Sequence, residues 1–168
     1  MGKLIIIRGN SGCGKTSTAR ALREAIVEGG HARTVAIVEH DYLRRVVLRE
    51  REFEGREAVA LIRLVATFAL EREYDVIVEG ILGAAKYGDM LRGLIEVADD
   101  AHTFYFDVSF EETVRRHATK PNAHEFGEDA LREWWLEHDV LGVPGETLLP
   151  ESLSLDETVA RIQTQVYP

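Results

Sequence analysis

The sequence predicts an α/β fold in which one parallel sheet lies between two layers of helices. Short apolar runs alternate with longer stretches of helical spacing along the whole chain. The first run, Lys3–Arg8 (KLIIIR), is continuously apolar at its centre, as expected of a strand covered on both faces. The polar residues with chemical promise follow such runs directly, at what would be the carboxyl ends of strands. Open parallel sheets bind their ligands there.

The elements follow in order. After the strand at Lys3–Arg8, Lys15–Glu28 places Ala19, Leu22 and Ile26 on one helix face, and Gly29-Gly30 ends it. Arg33–Glu39 (RTVAIVE) reads as a second strand. Asp41–Glu52 and Arg56–Glu73 read as two helices broken near Gly55. The second of these has a wide apolar face through Ala58, Leu61, Ile62, Val65, Phe68 and Ala69. Asp75–Glu79 (DVIVE) and Ala101–Asp107 (AHTFYFD) read as strands, with a helix at Tyr87–Ala98 between them. Ser109 precedes a helix at Phe110–His117, with Glu112 placed for a capping box. Glu128–His138 is helical in pattern, Thr147–Leu149 suits a short fifth strand, and Leu155–Gln165 is an amphipathic helix capped by Ser154.

A chain of 168 residues is one domain's worth, expected to span 1–168 with a lid near 116–140. The net charge of −9 argues against a general nucleic-acid coat, which needs a basic surface. Cys13 is the only cysteine, so no internal disulfide forms; that fits a reducing compartment. The run Leu4–Ile7 is too short for a signal-peptide core or a membrane span, and Ile6 stands where a myristoylation signal needs Ser or Thr. The expectation is a cytoplasmic protein without a membrane partner, monomeric or homodimeric.

Gly9-Asn10-Ser11-Gly12-Cys13-Gly14-Lys15-Thr16 matches G-x-x-x-x-G-K-[ST], between an apolar strand and a helix. The glycines let successive N–H groups turn toward phosphate oxygens, and the helix starting at Lys15 adds its positive end. Lys15 is expected to neutralise the β- and γ-phosphates and Thr16 to offer its hydroxyl to Mg²⁺, with Ser17 beside them. Cys13 reads as a tolerated small residue in the loop rather than a redox-sensitive thiol.

Asp41 follows the second strand, where a carboxylate faces the phosphate loop across the cleft. It suits a base for an attacking hydroxyl and a Mg²⁺ ligand, though Asp at this place also caps helices. Arg44, on the same face, suits an anionic part of an acceptor, while Arg45, Arg49 and Arg51 read as a solvated face. His40 and Tyr42 are open between core and site. Glu79 suits the metal shell, Gly80 a close backbone approach to the acceptor, and Lys86 the acceptor pocket's edge. Arg116 and Lys120 share a helix face and suit a cationic cover over a triphosphate; cations at a helix C-terminus are also common without that role. His117, His124 and His138 lack metal spacing and read as surface positions. Trp134 and Trp135 cannot both face the core from one helix, so one of them is expected to meet substrate or a neighbouring subunit.

These residues resemble the small-molecule kinase branch of phosphate-loop proteins, which includes adenylylsulfate kinase, gluconate kinase, chloramphenicol phosphotransferase and zeta-toxin-like kinases. The resemblance rests on GNSGCGKT at Gly9–Thr16, DYLR at Asp41–Arg44, VIVEG at Val76–Gly80 and YFDVSFEETVRRHATK at Tyr105–Lys120. Lys120 stands where the lid pattern has a second arginine. The resemblance implies a P-loop NTPase three-layer fold with strand order 2-3-1-4-5 and a helical lid. It also implies Mg·ATP as donor and transfer of its γ-phosphate to a hydroxyl of a small molecule. A polynucleotide 5′-hydroxyl kinase and a non-catalytic nucleotide-responsive module are the alternatives.

Overall fold

The computed structural model describes residues 2–32, 34–51, 57–119 and 127–168. Strand β1 (Leu4–Gly9) leads into helix α1 (Lys15–Glu28), then β2 (Val35–Glu39) and a π-helical segment at Tyr42–Val47. Helix α2 (Glu57–Glu71), β3 (Asp75–Gly80), α3 (Ala84–Val97), β4 (Ala101–Asp107) and α4 (Phe110–Ala118) follow. The short α5 (Glu128–Glu133), β5 (Thr147–Pro150) and α6 (Leu155–Val166) complete the order. The sheet is five-stranded in the order β2-β3-β1-β4-β5, and every pairing is parallel. The expected strand order therefore holds.

The central strands are buried along their length because the alternate side chains of each enter different cores. Leu4 and Ile6 of β1 join Val76, Val78, Ile62 and Leu91 on one face. Ile5 and Ile7 join Ile77, Phe104, Leu22 and Ile162 on the other. Helices α2 and α3 cover the first face and α1 and α6 the second. Among the described residues no helix is long and apolar enough to cross a membrane.

Several local expectations change. The helix predicted at Asp41–Glu52 is a π-helical segment ending at Leu48, whose N–H donates to the Leu43 carbonyl at 3.0 Å. The adjacent β-branched Val46 and Val47 weaken α-helical spacing, and Arg49 with φ 58 closes the segment. Helix α3 starts at Ala84 rather than Tyr87, because the Asp139 carboxylate accepts the Ala84 N–H at 2.9 Å. That cap arrives from 55 residues away, so local pattern cannot see it. The helix predicted through His138 stops at Glu133, and Trp134 closes it.

Ser109 accepts the Glu112 N–H, but its own N–H goes to Glu151 rather than back to Glu112, so only half of the expected box forms locally. Ser154 forms the complete box with Glu157. Arg8, read as the end of an apolar run, lies inside β1 and is fully buried. His117, read as a surface residue, is buried where α4 packs on the phosphate loop. Lys120, His124, the Gly55 break and the starts predicted at Arg33 and Arg56 lie outside the described residues.

Candidate functional site

The loop between β1 and α1 curls tightly because its glycines take backbone shapes that side chains resist. Gly12 has φ 86, and a Cβ there would press on the Thr113 backbone and side chain at 3.2 Å. Gly14 has φ 110 and makes no side-chain cap, so the first N–H groups of α1 keep their capacity for an anion. Lys15 is buried, its ammonium donating to the Asn10 carbonyl at 2.7 Å and lying 3.6 Å from the Cys13 sulfur. Cys13 itself is fully buried. Asn10 is nearly buried, Ser11 is half-buried, and Ser17 is exposed on the first turn of α1.

Two strand ends, those of β2 and β3, bring acidic groups to this loop. The Thr16 hydroxyl donates to Glu79 Oε1 at 3.1 Å. Glu79 is buried, and β2 pairs Glu39 directly beside it. Burial pushes the Glu79 carboxyl above its ordinary range; Lys15 and Thr16 offset this in part, and Glu39 and Asp41 add to it. Asp41 is half-exposed, with Arg44 at 3.4 Å, Arg45 at 3.6 Å and His40 Nδ1 at 3.6 Å from its Oδ1. Burial raises its carboxyl, but Arg45, His40, Arg44 and Lys15 together outweigh that and hold it below the ordinary range. Its side chain makes no capping bond to the segment it precedes, so the helix-cap alternative finds no contact here.

Arg44 is buried and donates to the Glu50 carbonyl at 3.2 Å as well as facing Asp41. Arg45, expected on a solvated face, turns back onto Asp41 while remaining half-exposed. The close approach that Gly80 permits is to His40, whose Cβ would lie 2.5 Å from a Cβ at that position. His40 is buried, with Nε2 2.8 Å from the Tyr87 hydroxyl and the two rings edge to face. Tyr42 is 54% exposed, and Lys86 leans over the Tyr87 ring.

Arg116 reaches the loop from α4. It donates to Glu112 at 2.6 Å, to the Cys13 carbonyl at 2.8 Å and to the Glu151 carbonyl at 2.8 Å. Hydrogen bonds from Arg115 and Arg116 pull the Glu112 carboxyl down to about 2. Beside Arg116 opens a cavity of about 520 Å³, bordered by Gly14, Ser17, Phe106, Arg115, Leu153 and Leu155. That volume lies in the range of small-molecule sites. Lys120, the partner expected for Arg116, lies outside the described residues.

The site has parts that the sequence reading missed. The Asn10 side chain donates to the Leu136 carbonyl at 2.8 Å and accepts the Leu136 N–H at 2.9 Å. Beneath it Arg8 holds Asp139 at 2.7 Å and Glu146 at 3.5 Å. His138, with φ 43, pairs with Asp107 at 3.2 Å. Trp135 packs edge-on against Phe110 and donates to Glu137, and Trp134 is half-buried. The only local hint of this network was an arginine at the end of an apolar strand.

Among the described residues no three His, Cys, Asp or Glu side chains gather into a metal cage. Mg²⁺ in phosphate sites takes one or two protein oxygens and fills the rest with phosphate and water. The paired oxygens of Thr16 and Glu79, next to the phosphate loop, fit that mode.

No protein-family model matches the chain, and no curated protein sequence matches it. Solved structures do share its fold. The APS kinase of Mycobacterium tuberculosis, in complex with AMPPNP and APS, has TM-score 0.77 and 20% identity, over 99% of this chain and 98% of that one. A gluconokinase from Sinorhizobium meliloti has TM-score 0.65 and 18% identity, over 99% and 95%. A shikimate kinase from Bacteroides thetaiotaomicron has TM-score 0.63 and 15% identity, over 98% of both chains. The fold is that of P-loop kinases.

Proposed function

We propose that this P-loop protein is a Mg²⁺-dependent phosphotransferase that moves the γ-phosphate of ATP to a hydroxyl of a small molecule. The observation that carries the reading is the meeting of Lys15, Thr16, Glu79 and Asp41 from three strand ends. Thr16 bonds Glu79, and the Lys15 charge acts on both carboxylates. The kinase neighbours support the reaction class, and the cavity beside Arg116 suits the nucleoside end of the donor.

Each residue then has a task. The loop N–H groups and Lys15 hold the phosphates and balance their charge. Thr16 and Glu79 would hold Mg²⁺, which draws charge from the phosphate oxygens when bound. Asp41 accepts the proton as the acceptor's O–H bond breaks, the acceptor oxygen bonds the γ-phosphorus, and the bond from that phosphorus to the ADP oxygen breaks. The low Asp41 carboxyl suits this step, because a loose phosphoryl-transfer transition state asks for an oriented acceptor more than for a strong base. Arg116 braces the Cys13 carbonyl and stands ready for phosphoryl charge. Arg44 fixes Asp41 and faces the acceptor side. The expected setting is the cytoplasm.

The test is a transfer assay with γ-labelled ATP and Mg²⁺ over fractionated small metabolites. Label transferred to an alkali-stable phosphate ester, and lost in Asp41→Asn, supports the reading. Failure of the wild-type protein to bind Mg·AMPPNP overturns it.

A further inference from the structure

Hydrogen bonds at Asn10 join two parts of the molecule. Its side-chain amide pairs with the Leu136 backbone in both directions, at 2.8 and 2.9 Å, across 126 residues of sequence. Its carbonyl accepts the Lys15 ammonium at 2.7 Å. Asn10 is 5% exposed, so these bonds compete little with water. The segment that brings Leu136 here is itself anchored. Asp139 takes Arg8 at 2.7 Å and the Ala84 N–H at 2.9 Å, and its own N–H donates to the Tyr105 hydroxyl at 3.0 Å. A Cβ at Gly83 would lie 3.0 Å from Leu136 Cδ1, so the return segment from α5 sits tightly against the start of α3.

We propose that Asn10 is a positioning residue through which the return segment Leu136–Asp139 sets the phosphate-binding lysine. This rests on the reading of Lys15 as the residue that meets the donor phosphates. Leu136 holds both polar atoms of the Asn10 side-chain amide, the Cys13 N–H meets the Asn10 carbonyl at 3.4 Å, and that same carbonyl accepts Lys15. An ammonium has three donors, so the bond to Asn10 aims Lys15 while leaving donors for phosphate oxygens. Coupling of this kind is reciprocal: phosphate bound at Lys15 strengthens the seat of Leu136 on Asn10, and loss of that seat weakens phosphate binding by the same factor.

Amide hydrogen exchange at Leu136, read with and without Mg·AMPPNP, tests the coupling in the wild-type protein. The expected result is exchange slowed about 10-fold by the nucleotide, the scale of a 1.4 kcal/mol coupling. In Asn10→Ala the slowing disappears and Mg·AMPPNP binds about 10-fold more weakly. A merely structural Asn10 would lower thermal stability and leave the nucleotide-induced slowing intact. Asn10→Asp keeps an acceptor for the Leu136 N–H but no donor for its carbonyl, and an intermediate slowing is expected there. Nucleotide binding by the wild type with no change at Leu136 overturns the coupling alone. Absence of nucleotide binding by the wild type overturns the phosphotransferase reading and the coupling with it.

Discussion

The Thr16 hydroxyl donates to Glu79 Oε1 at 3.1 Å, tying the first turn of α1 to the carboxyl end of β3. That bond places an oxygen pair beside the phosphate loop and partly offsets burial, which pushes the Glu79 carboxyl above its ordinary range. The Glu79 carboxyl is raised, so its contribution to stability is present below the unfolded value and is lost as pH rises through the folded one. Above that unfolded value the buried carboxyl strains the free protein at a cost in stability. Glu79→Gln is therefore expected to raise Tm at pH 7; a gain of about 1 kcal/mol corresponds to roughly 2–4 °C. The same variant should lose the further Tm rise that Mg²⁺ adds to a bound nucleotide. Calorimetry with and without Mg·AMPPNP checks both, and an unchanged or lower Tm for the free variant counts against the strain.

Asp41 behaves in the opposite sense. Its carboxyl is held low, so it is ionised at neutral pH, and the stability it adds is present above the unfolded value and lost as pH falls through the folded one. Asp41→Asn should lower kcat by about 10²–10⁴-fold and leave nucleotide affinity within about 2-fold. Steady-state kinetics with the acceptor, beside a nucleotide titration, separates the two effects. A variant with wild-type kcat removes Asp41 from the chemistry.

Arg116 joins α4 to the Cys13 and Glu151 carbonyls, and Glu112 orients it. Truncation in Arg116→Ala leaves the two carbonyls without that donor. The expected cost is about 1–2 kcal/mol in urea unfolding, with weaker nucleotide binding. Equal urea midpoints for variant and wild type would show that the brace carries no stability.

Arg8 is fully buried, with its charge taken by Asp139 and Glu146. Arg8→Met keeps the volume but strands two acids, of which Glu146 is almost as buried as the arginine. Breaking a buried pair in this way costs about 3–5 kcal/mol. The urea midpoint should fall accordingly, and the Ala84 and Leu136 amides should exchange faster than those of β3. A midpoint within experimental error of the wild type would place the pair outside the stability of the fold.

Much of this was legible in order along the chain. Ile5, Ile6 and Ile7 announce a doubly covered strand, and Gly9–Thr16 predicts a phosphate loop, because both depend on neighbours in sequence. Ser154 and Glu157 form a capping box three residues apart, an equally local pairing. Asp41 and Glu79 were found by their place after strands, since a parallel sheet brings all its carboxyl ends to one edge. The Tyr42–Val47 segment departs from the expected α-helix because α and π turns differ only in whether each N–H meets the carbonyl four or five residues back, as Leu48 meets Leu43. His117 was misjudged because a histidine's burial depends on what packs over it, here the loop at Gly12.

By itself the sequence determined the alternation of strands and helices, the glycine-rich loop between β1 and α1 and the carboxylates at the strand ends. These follow from side-chain periodicity, glycine backbone freedom and sheet direction, all of which act within a few residues or along one strand. The tertiary structure alone decided the partners of Arg8, Asn10, His40 and Ala84. Arg8 meets Asp139 across 131 residues and Asn10 meets Leu136 across 126. A buried polar group must find a partner, but nothing near it in the chain says which one. Only the packed sheet brings the segment after α5 against β1 and the start of α3, and that packing selects the partners.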